Sequence, residues 1–239
     1  EPNLIFYLDL VALGTVCDLV KIDHLNRAFI KQGLRILNHS PNLGVSSILK
    51  ESKIDSEVTD YHLGFIIGPR INAGGRVGKS SLGAELLLSN ENKIANVMAL
   101  RLGEFNNLRK KIEKAVEIKA IGMVHDNDQI ICVNSKNWHP GVIGIVASRL
   151  VEKFNRPSIV ISEDEKLCKA SCRSVLNFDI GDLIVKAVNE GLLLNGGGHK
   201  MAGGFTILKE NIEQFKNFLS DKYKKGASEI LKQYDHVLR

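Results

Sequence analysis

The stretch QIICVNSKNWHPGVIGIVASRLVEKFNRPSIVIS, residues 129–162, indicates the fold class of this chain. Residues 129–135 form a short apolar run typical of a strand. Residues 141–154 repeat apolar positions at helical spacing, and residues 157–162 form a second strand pattern behind a proline. Residues 169–175, KASCRSV, are a candidate third strand. Strands that alternate with helices predict an α/β domain.

Helices are also predicted after these strands. Asp179 or Asp182 is placed to cap a helix that runs through Val188, and Asn211 is placed to begin a final amphipathic helix.

The most unusual string of the chain is GGGHKMAGG, residues 196–204. Three consecutive glycines lose much backbone entropy on folding, so the run suggests that another group approaches the backbone closely. One interpretation is a phosphate, sugar or base edge at the amides of Gly196, Gly197 and Gly198, with His199 as donor or acceptor. A flexible hairpin is the alternative.

The first third of the chain is helix-rich, and its last predicted helix ends at Gly68-Pro69. Residues 70–81 then read as a glycine-rich basic turn that carries Arg70, Asn72 and Arg76. The arginine fork matches phosphate oxygens, and glycine amides can approach an anion. The turn predicts an anion clamp, and the alternative is a positively charged loop that merely ends a helix.

A long helix is expected over residues 80–121, which contain no proline and carry apolar positions from Ile94 to Ala115 on one helical face. An interruption is expected near residues 90–92 or at Gly103. A helix of this length suits a connector between two lobes. The basic side chains along it favour a solvated face over a contact with a polyanion.

Two further charged residues are candidates for binding. Asp18 ends an apolar stretch, and a carboxylate so close to a core needs a cation, a hydrogen-bond network or a metal ion. The alternative is that Asp18 caps a turn. Arg173 stands between hydroxyl residues and suits phosphate, although an exposed structural role fits equally well.

The only tryptophan of the chain is Trp138, and for its side chain packing is favoured over stacking on a base.

Composition limits the class of protein. The chain has 32 Lys+Arg against 27 Asp+Glu, and its net charge of +5 is compatible with a polyanionic partner without requiring one. No uncharged apolar stretch of about 18 residues occurs, which excludes a membrane-spanning helix. Four cysteines lack CxxC or zinc spacing, so reduced thiols and a cytoplasmic location are expected.

Five segments, taken in order, closely resemble the bacterial RecJ exonucleases of the DHH phosphoesterase superfamily. They are LDLVALGTVCDLV (8–20), GPRINAGGRVG (68–78), WHPGVIGIVASRL (138–150), SCRS (171–174) and GGGHKMAGG (196–204). The resemblance implies an α/β architecture in three parts: the C-terminal part of a DHH catalytic lobe (1–85), a connecting helix (86–122) and a DHH-associated substrate-binding domain (123–239).

The resemblance also implies a function. RecJ-like enzymes degrade single-stranded DNA from its 5′ end with two divalent cations, Mn²⁺ or Mg²⁺, during DNA repair and recombination. Single-stranded DNA is therefore the expected partner, together with single-strand-binding or other repair proteins.

Individual residues match the motifs of this family. Asp18 matches the aspartate of the last metal-binding motif, and it is the one catalytic and metal-ligating candidate. The nucleic-acid-binding candidates implied by the resemblance are Arg70, Asn72, Arg76, Arg149, Arg173, Gly196, Gly197, Gly198 and His199. We expect Asp18 to face the arginines of the 70–76 segment, so that cation and polyanion meet in one place.

The sequence also departs from the family pattern. The earlier metal motifs, an Asp-x-Asp pair, a further Asp and the Asp-His-His triplet, are absent, and one aspartate cannot hold two metal ions. We therefore expect a C-terminal portion of the RecJ core that binds DNA weakly and hydrolyses nothing by itself. Two alternatives remain open: an oligoribonuclease or cyclic-dinucleotide phosphodiesterase of the same superfamily, and a tRNA-binding module.

Overall fold

A computed structural model describes residues 4–39 and 41–222. The chain divides into two compact units, Glu1–Lys110 and Lys111–Arg239. Within the described ranges, no helix is both long enough and apolar enough to cross a membrane.

The first unit is helical. After a 3-10 turn at Leu4–Tyr7, its elements are α1 (Leu8–Cys17), α2 (His24–His39), α3 (Leu43–Glu51), α4 (Asp60–His62), a π-helical turn (Leu63–Ile67), α5 (Gly68–Val77) and α6 (Leu82–Leu87). The helix α7 (Asn92–Ile121) begins in the first unit and ends in the second.

A buried carboxylate organises the core of the first unit. Asp9 is 1% exposed, and its Oδ2 accepts the backbone N–H of Asn42 at 2.8 Å. Asn42 in turn caps α3, since its Oδ1 accepts the backbone N–H of Gly44 at 2.9 Å. Asp9 is therefore a structural residue.

The predicted basic turn is wrong, because the helix does not stop at Gly68-Pro69. The helical path continues from α4 through the π-helical turn into α5. Pro69 lies in the first turn of α5, where a residue without a backbone N–H is tolerated and its fixed φ suits the helix. Arg70 and Arg76 are consequently presented on a helix.

The predicted long helix is confirmed as α7, whose 30 residues give a length of about 45 Å at about 1.5 Å per residue. It starts after residues 88–91 and runs through Gly103 without a break. The predicted apolar face was wrong, since Ile94 is 43% exposed while Ala95, Ala99 and Leu102 are fully buried. Small side chains, which a hydrophobic-periodicity argument undervalues, form most of the packed face.

The second unit is built on a five-stranded mixed sheet. Its strands are β1 (Ile131–Lys136), β2 (Ser158–Glu163), β3 (Leu167–Arg173), β4 (Asn195–His199) and β5 (Ala202–Leu208), in the order β1-β2-β3-β5-β4. The pair β1-β2 is parallel, and the remaining pairs are antiparallel. Its helices are α8 (Ile143–Phe154), α9 (Ile180–Asn189) and α10 (Ile212–Lys222).

The α/β prediction is confirmed for this unit. The strand, helix, strand order of residues 129–162 is β1, α8 and β2, and the candidate third strand is β3. Asp179 caps α9, because its side chain accepts the backbone N–H of Asp182 at 3.0 Å. Residues 223–239 of the predicted associated domain lie outside the described ranges.

The two faces of this sheet carry different helices. Cys168, Ala170 and Cys172 alternate along β3 and are buried with side chains of α9 and α10. The helix α8 packs on β2 and β3. Because side chains alternate along a strand, Ser171 and Arg173 project to the α8 side of the sheet.

Candidate nucleic-acid interface

Asp18 directly follows α1 and closes the end of that helix. Its backbone N–H donates to the carbonyl of Gly14 at 3.0 Å, and its side chain is exposed. Across residues 4–39 and 41–222, no hydrogen bond or ion pair engages its carboxylate. Partial burial, followed by the Asp18 charge, raises the pKa of the neighbouring Cys17 thiol.

Asp18 and Asn72 line one cavity of about 220 Å³ in the first unit. The end of α1 docks there because Cys17 Sγ donates to the carbonyl of Leu63 at 3.5 Å. Gly68 permits this contact, since a Cβ at that position would collide with Cys17 Sγ. The cavity therefore brings together two predicted site residues that are far apart in the sequence.

The two arginines of the 70–76 segment are not among the residues that line this cavity. Arg70 forms an ion pair with Glu51, with Nε and Oε2 at 2.9 Å, and its Nη1 donates to the carbonyl of Ile66 at 3.1 Å. Arg76 is exposed on the last turn of α5. The Glu51 partner was missed by sequence reasoning, because no local signal links it to Arg70.

The described residues do not fit a complete two-metal site. No group of three His, Cys, Asp or Glu side chains within the described ranges could hold a metal ion. The cavity offers the Asp18 carboxylate and the Asn72 amide, whereas two-metal phosphodiester cleavage needs a set of ligands shared between two cations. Among the residues that line this cavity, Asp18 is the one that carries a carboxylate.

In the second unit, Arg173 lies against the first turn of α8. Its Nη1 donates to the carbonyl of Cys172 at 2.8 Å and to Ser171 Oγ at 3.4 Å. A Cβ at Gly144 would lie 2.9 Å from Ser171 Oγ and 3.4 Å from Arg173 Nη2. The glycine therefore lets the guanidinium approach a helix N-terminus, where backbone N–H groups also favour anions.

The string GGGHKMAGG is an ordered hairpin formed by β4 and β5. A Cβ at Gly196 would lie 2.7 Å from Phe205 Cβ, and one at Gly198 would lie 2.5 Å from Gly203 Cα. The atoms that approach Gly196 and Gly198 so closely thus belong to the protein itself and not to a ligand. By contrast, a Cβ at Gly197 would meet no atom within 4 Å.

Strand register brings Arg173 and His199 into one row. Arg173 pairs with Ala202 across β3 and β5, and His199 pairs with the same Ala202 across β4 and β5. Residues directly opposite one another share a face, so Arg173 and His199 lie on the α8 side of the sheet, about 10 Å apart across two strand spacings. His199 Nδ1 also accepts the backbone N–H of Met201 at 3.3 Å.

Two other predicted residues lie in different surroundings. Arg149 on α8 pairs with Glu152 at 2.9 Å and with Glu113 at 3.8 Å, and the Glu152 carboxylate raises the pKa of its guanidinium. Trp138 is only 4% exposed, which confirms that it packs. Its carbonyl accepts the hydroxyl of Ser162 at 2.5 Å.

Comparisons with known proteins agree with this architecture. A family model for the DHHA1 domain matches residues 127–225. The single-stranded-DNA-specific exonuclease RecJ of Haemophilus influenzae is 36% identical over 232 residues, covering 92% of this chain and 40% of that protein. RecJ of Escherichia coli is 34% identical over 227 residues, covering 90% of this chain and 39% of that protein.

Solved structures show the same likeness. The crystal structure of RecJ from Thermus thermophilus in complex with Mn²⁺ matches with a TM-score of 0.84 and 30% sequence identity, covering 92% of this chain and 33% of that chain. The chain spans about two fifths of the length of the first curated relatives. Residues 127–225 therefore match the DHHA1 domain model, and about nine tenths of the chain is similar to part of the RecJ exonucleases.

Proposed function

We propose that this chain is the part of a RecJ-like enzyme that holds single-stranded DNA. The enzyme as a whole would remove nucleotides from the 5′ end by metal-dependent phosphodiester hydrolysis. Support comes from relatives named single-stranded-DNA-specific exonucleases, which are 31–36% identical to this chain.

One observation of the second unit carries this proposal. Arg173, the first turn of α8 and the β4–β5 hairpin with His199 come together on one face of the sheet. Arginine and a helix N-terminus both bind phosphate oxygens, and the bare backbone at Gly197 leaves room for a strand to approach. Such contacts grip a nucleic-acid backbone and do not read its bases.

In the first unit, we assign Asp18 as one oxygen ligand of a divalent cation. The crystal structures of the Thermus thermophilus RecJ with Mn²⁺ and with Mg²⁺ support this class of metal. Bound cations of this type polarise a phosphate and activate water. Asn72 beside Asp18, and Arg70 and Arg76 on the same helix, would then contact the nearby DNA phosphates.

The test is a comparison of nucleic-acid affinities across a salt series. We expect the chain to bind a fluorescent oligo(dT) more tightly than a short oligoribonucleotide or a tRNA. Log K should fall linearly with log[NaCl], at about 0.7 per neutralised phosphate for single strands. A preference for short RNA would favour an oligoribonuclease-like role, and a preference for tRNA would favour a tRNA-binding module, so either result would contradict the proposal.

The cytoplasmic location of the activity and its protein partners are part of the same proposal. Cysteines 17, 132, 168 and 172 are all free thiols, which suits the reducing cytoplasm. Single-strand-binding and other repair proteins are the partners expected there.

A further inference from the structure

Arg70 and Glu51 form a largely buried ion pair in the first unit. Nε and Oε2 lie 2.9 Å apart, and the two side chains are 18% and 21% exposed. The carbonyl of Ile66 accepts a second hydrogen bond from Arg70, through Nη1 at 3.1 Å. Two bonds to a planar group fix its orientation, and a pair at this depth is screened less than a surface pair.

The position of Glu51 in its own helix is unfavourable without a partner. Glu51 is the last residue of α3, where the helix dipole disfavours a carboxylate. Among the described residues, its Oε2 accepts a long bond of 3.4 Å from Ser52 Oγ and the bond from Arg70, and no other. The arginine therefore supplies the main compensation for this charge.

The helix α7 is shaped around the same carboxylate. Gly103 lies in the interior of α7, where glycine is less favourable than alanine. A Cβ at this position would lie 2.8 Å from Glu51 Cδ and 3.1 Å from Oε2. The backbone of α7 thus passes directly against Glu51, and α3, α5 and α7 meet at one ion pair.

The pair leaves part of the guanidinium available. Of the five N–H donors of an arginine, Arg70 uses two toward the described residues, one on Nε and one on Nη1. Because its orientation is already fixed, little further side-chain entropy would be lost when a phosphate binds.

We propose that Glu51 is a positioning residue, which orients Arg70 toward a phosphate of single-stranded DNA and ties that arginine to α7 at Gly103. This inference rests on the proposed function, since it assigns Arg70 to the grip on single-stranded DNA. Glu51 itself does not touch the DNA.

The test uses Glu51→Gln and Arg70→Gln in the full chain, with oligo(dT) affinity measured across a NaCl series. We expect Arg70→Gln to weaken binding roughly tenfold at low salt and to reduce the salt slope by about 0.7. Glu51→Gln should weaken binding about three- to fivefold, although it removes a negative charge. The matched control is Glu104→Gln on α7, which removes the same charge from an exposed pair with Arg101 and should not weaken binding.

A double variant separates positioning from a general structural effect. If Glu51 acts through Arg70, the Glu51→Gln/Arg70→Gln variant should bind no more weakly than Arg70→Gln alone. Additive losses, or a Glu51→Gln variant that binds as tightly as the Glu104→Gln control, would overturn the inference. Thermal melts of all variants verify that each is folded at the binding temperature.

A substitution in α7 tests the contact between this helix and the Arg70–Glu51 pair. Gly103→Ala should displace the Glu51 carboxylate and weaken binding in the wild-type background, but not in the Arg70→Gln background. Equal losses in both backgrounds would overturn the coupling to α7.

If the wild-type chain shows no salt-dependent binding of oligo(dT), the proposed function itself fails. If it binds and Glu51→Gln has no effect, only the positioning role fails.

Discussion

The availability of each arginine is decided by the partner that its side chain already has. Arg149 contacts two carboxylates, whose combined charge exceeds that of its guanidinium, so a phosphate would have to compete with them, whereas Arg70 contacts only the Glu51 carboxylate among the described residues. Arg173 donates to a carbonyl and a hydroxyl, which are neutral acceptors, within the described part of the chain. A phosphate would therefore be a stronger partner for Arg173 than those it has now.

The affinity for oligo(dT) should accordingly depend more on Arg173 than on Arg149. We expect Arg173→Gln to weaken binding by about 1.5–3 kcal/mol and to lower the salt slope by about 0.7, with a smaller loss for Arg149→Gln. Lys153→Gln on α8 removes the same charge from an exposed position and serves as the control. A loss no greater for Arg173→Gln than for Lys153→Gln would contradict this assignment.

The partly buried Cys132 and the buried Cys172 should be inert rather than nucleophilic. Burial raises the pKa of Cys132 from 9.0 to about 12, and burial also raises the pKa of Cys172. At pH 8, only roughly one Cys132 thiol in 10,000 would be ionised. We expect the buried Cys172 to react with Ellman's reagent only after denaturation, and the partly buried Cys132 to react much more slowly than a free thiol in the native chain. Rapid labelling of either in the native chain would contradict this expectation.

The raised pKa of Cys132 also makes the free energy of unfolding depend on pH. An acid whose pKa is higher in the folded state stabilises the fold below its unfolded pKa, and that contribution is lost as pH rises through the folded value. For Cys132, the contribution is complete below about pH 9 and declines toward pH 12. Cys132→Ser should reduce this alkaline loss in urea unfolding experiments, and an unchanged pH profile would argue against a raised pKa of the Cys132 thiol.

Among the helices and strands, those with a strong local period were predictable from sequence. Strands β1 and β2 and the intervening α8 follow from their spacing of apolar residues, whereas the long α7 was predicted as a helix but with the wrong face toward the core. The helix α5 was missed because Gly68-Pro69 normally ends a helix, and packing against Cys17 overrides that preference. The Arg70–Glu51 pair could not be predicted, since it depends on how α3 and α5 pack in three dimensions.

Substitutions at two glycines of α5 test whether packing against Cys17 stabilises this helix. Gly68→Ala would place a Cβ against Cys17 Sγ and 3.1 Å from the carbonyl of Leu63, so we expect a loss of about 1–3 kcal/mol in the free energy of unfolding. Gly75→Ala, which would meet no atom within 4 Å, should instead stabilise the helix by about 0.5–1 kcal/mol. Urea titrations measure both, and equal effects would show that α1 does not dock at Gly68.

Two glycines of the β4–β5 hairpin allow its effect on stability and its effect on DNA binding to be measured separately. Gly198→Ala would clash with the backbone of β5, so it should destabilise the fold. Gly197→Ala occupies open space, and it should leave the melting temperature nearly unchanged while it weakens oligo(dT) binding. If both variants bind DNA as the wild type does, the hairpin does not form part of the interface.

For the molecule as a whole, binding and hydrolysis should be separable. The described residues contribute one aspartate to the proposed metal site, and the chain spans about two fifths of its first curated relatives. We therefore expect the isolated chain to release no 5′ mononucleotides from labelled single-stranded DNA with Mn²⁺ present. Robust turnover that is abolished by chelation would require a metal site other than the one proposed.

The most direct test of the central claim is to map where single-stranded DNA contacts the chain. An oligonucleotide that carries 5-iodo-deoxyuridine can be photocrosslinked and the modified peptides identified by mass spectrometry. We predict crosslinks within residues 196–204, at His199 or Met201 beside Arg173, and their loss in Arg173→Gln at moderate salt. Crosslinks confined to other surfaces, with none in the β4–β5 hairpin, would contradict the assignment of this sheet face to DNA.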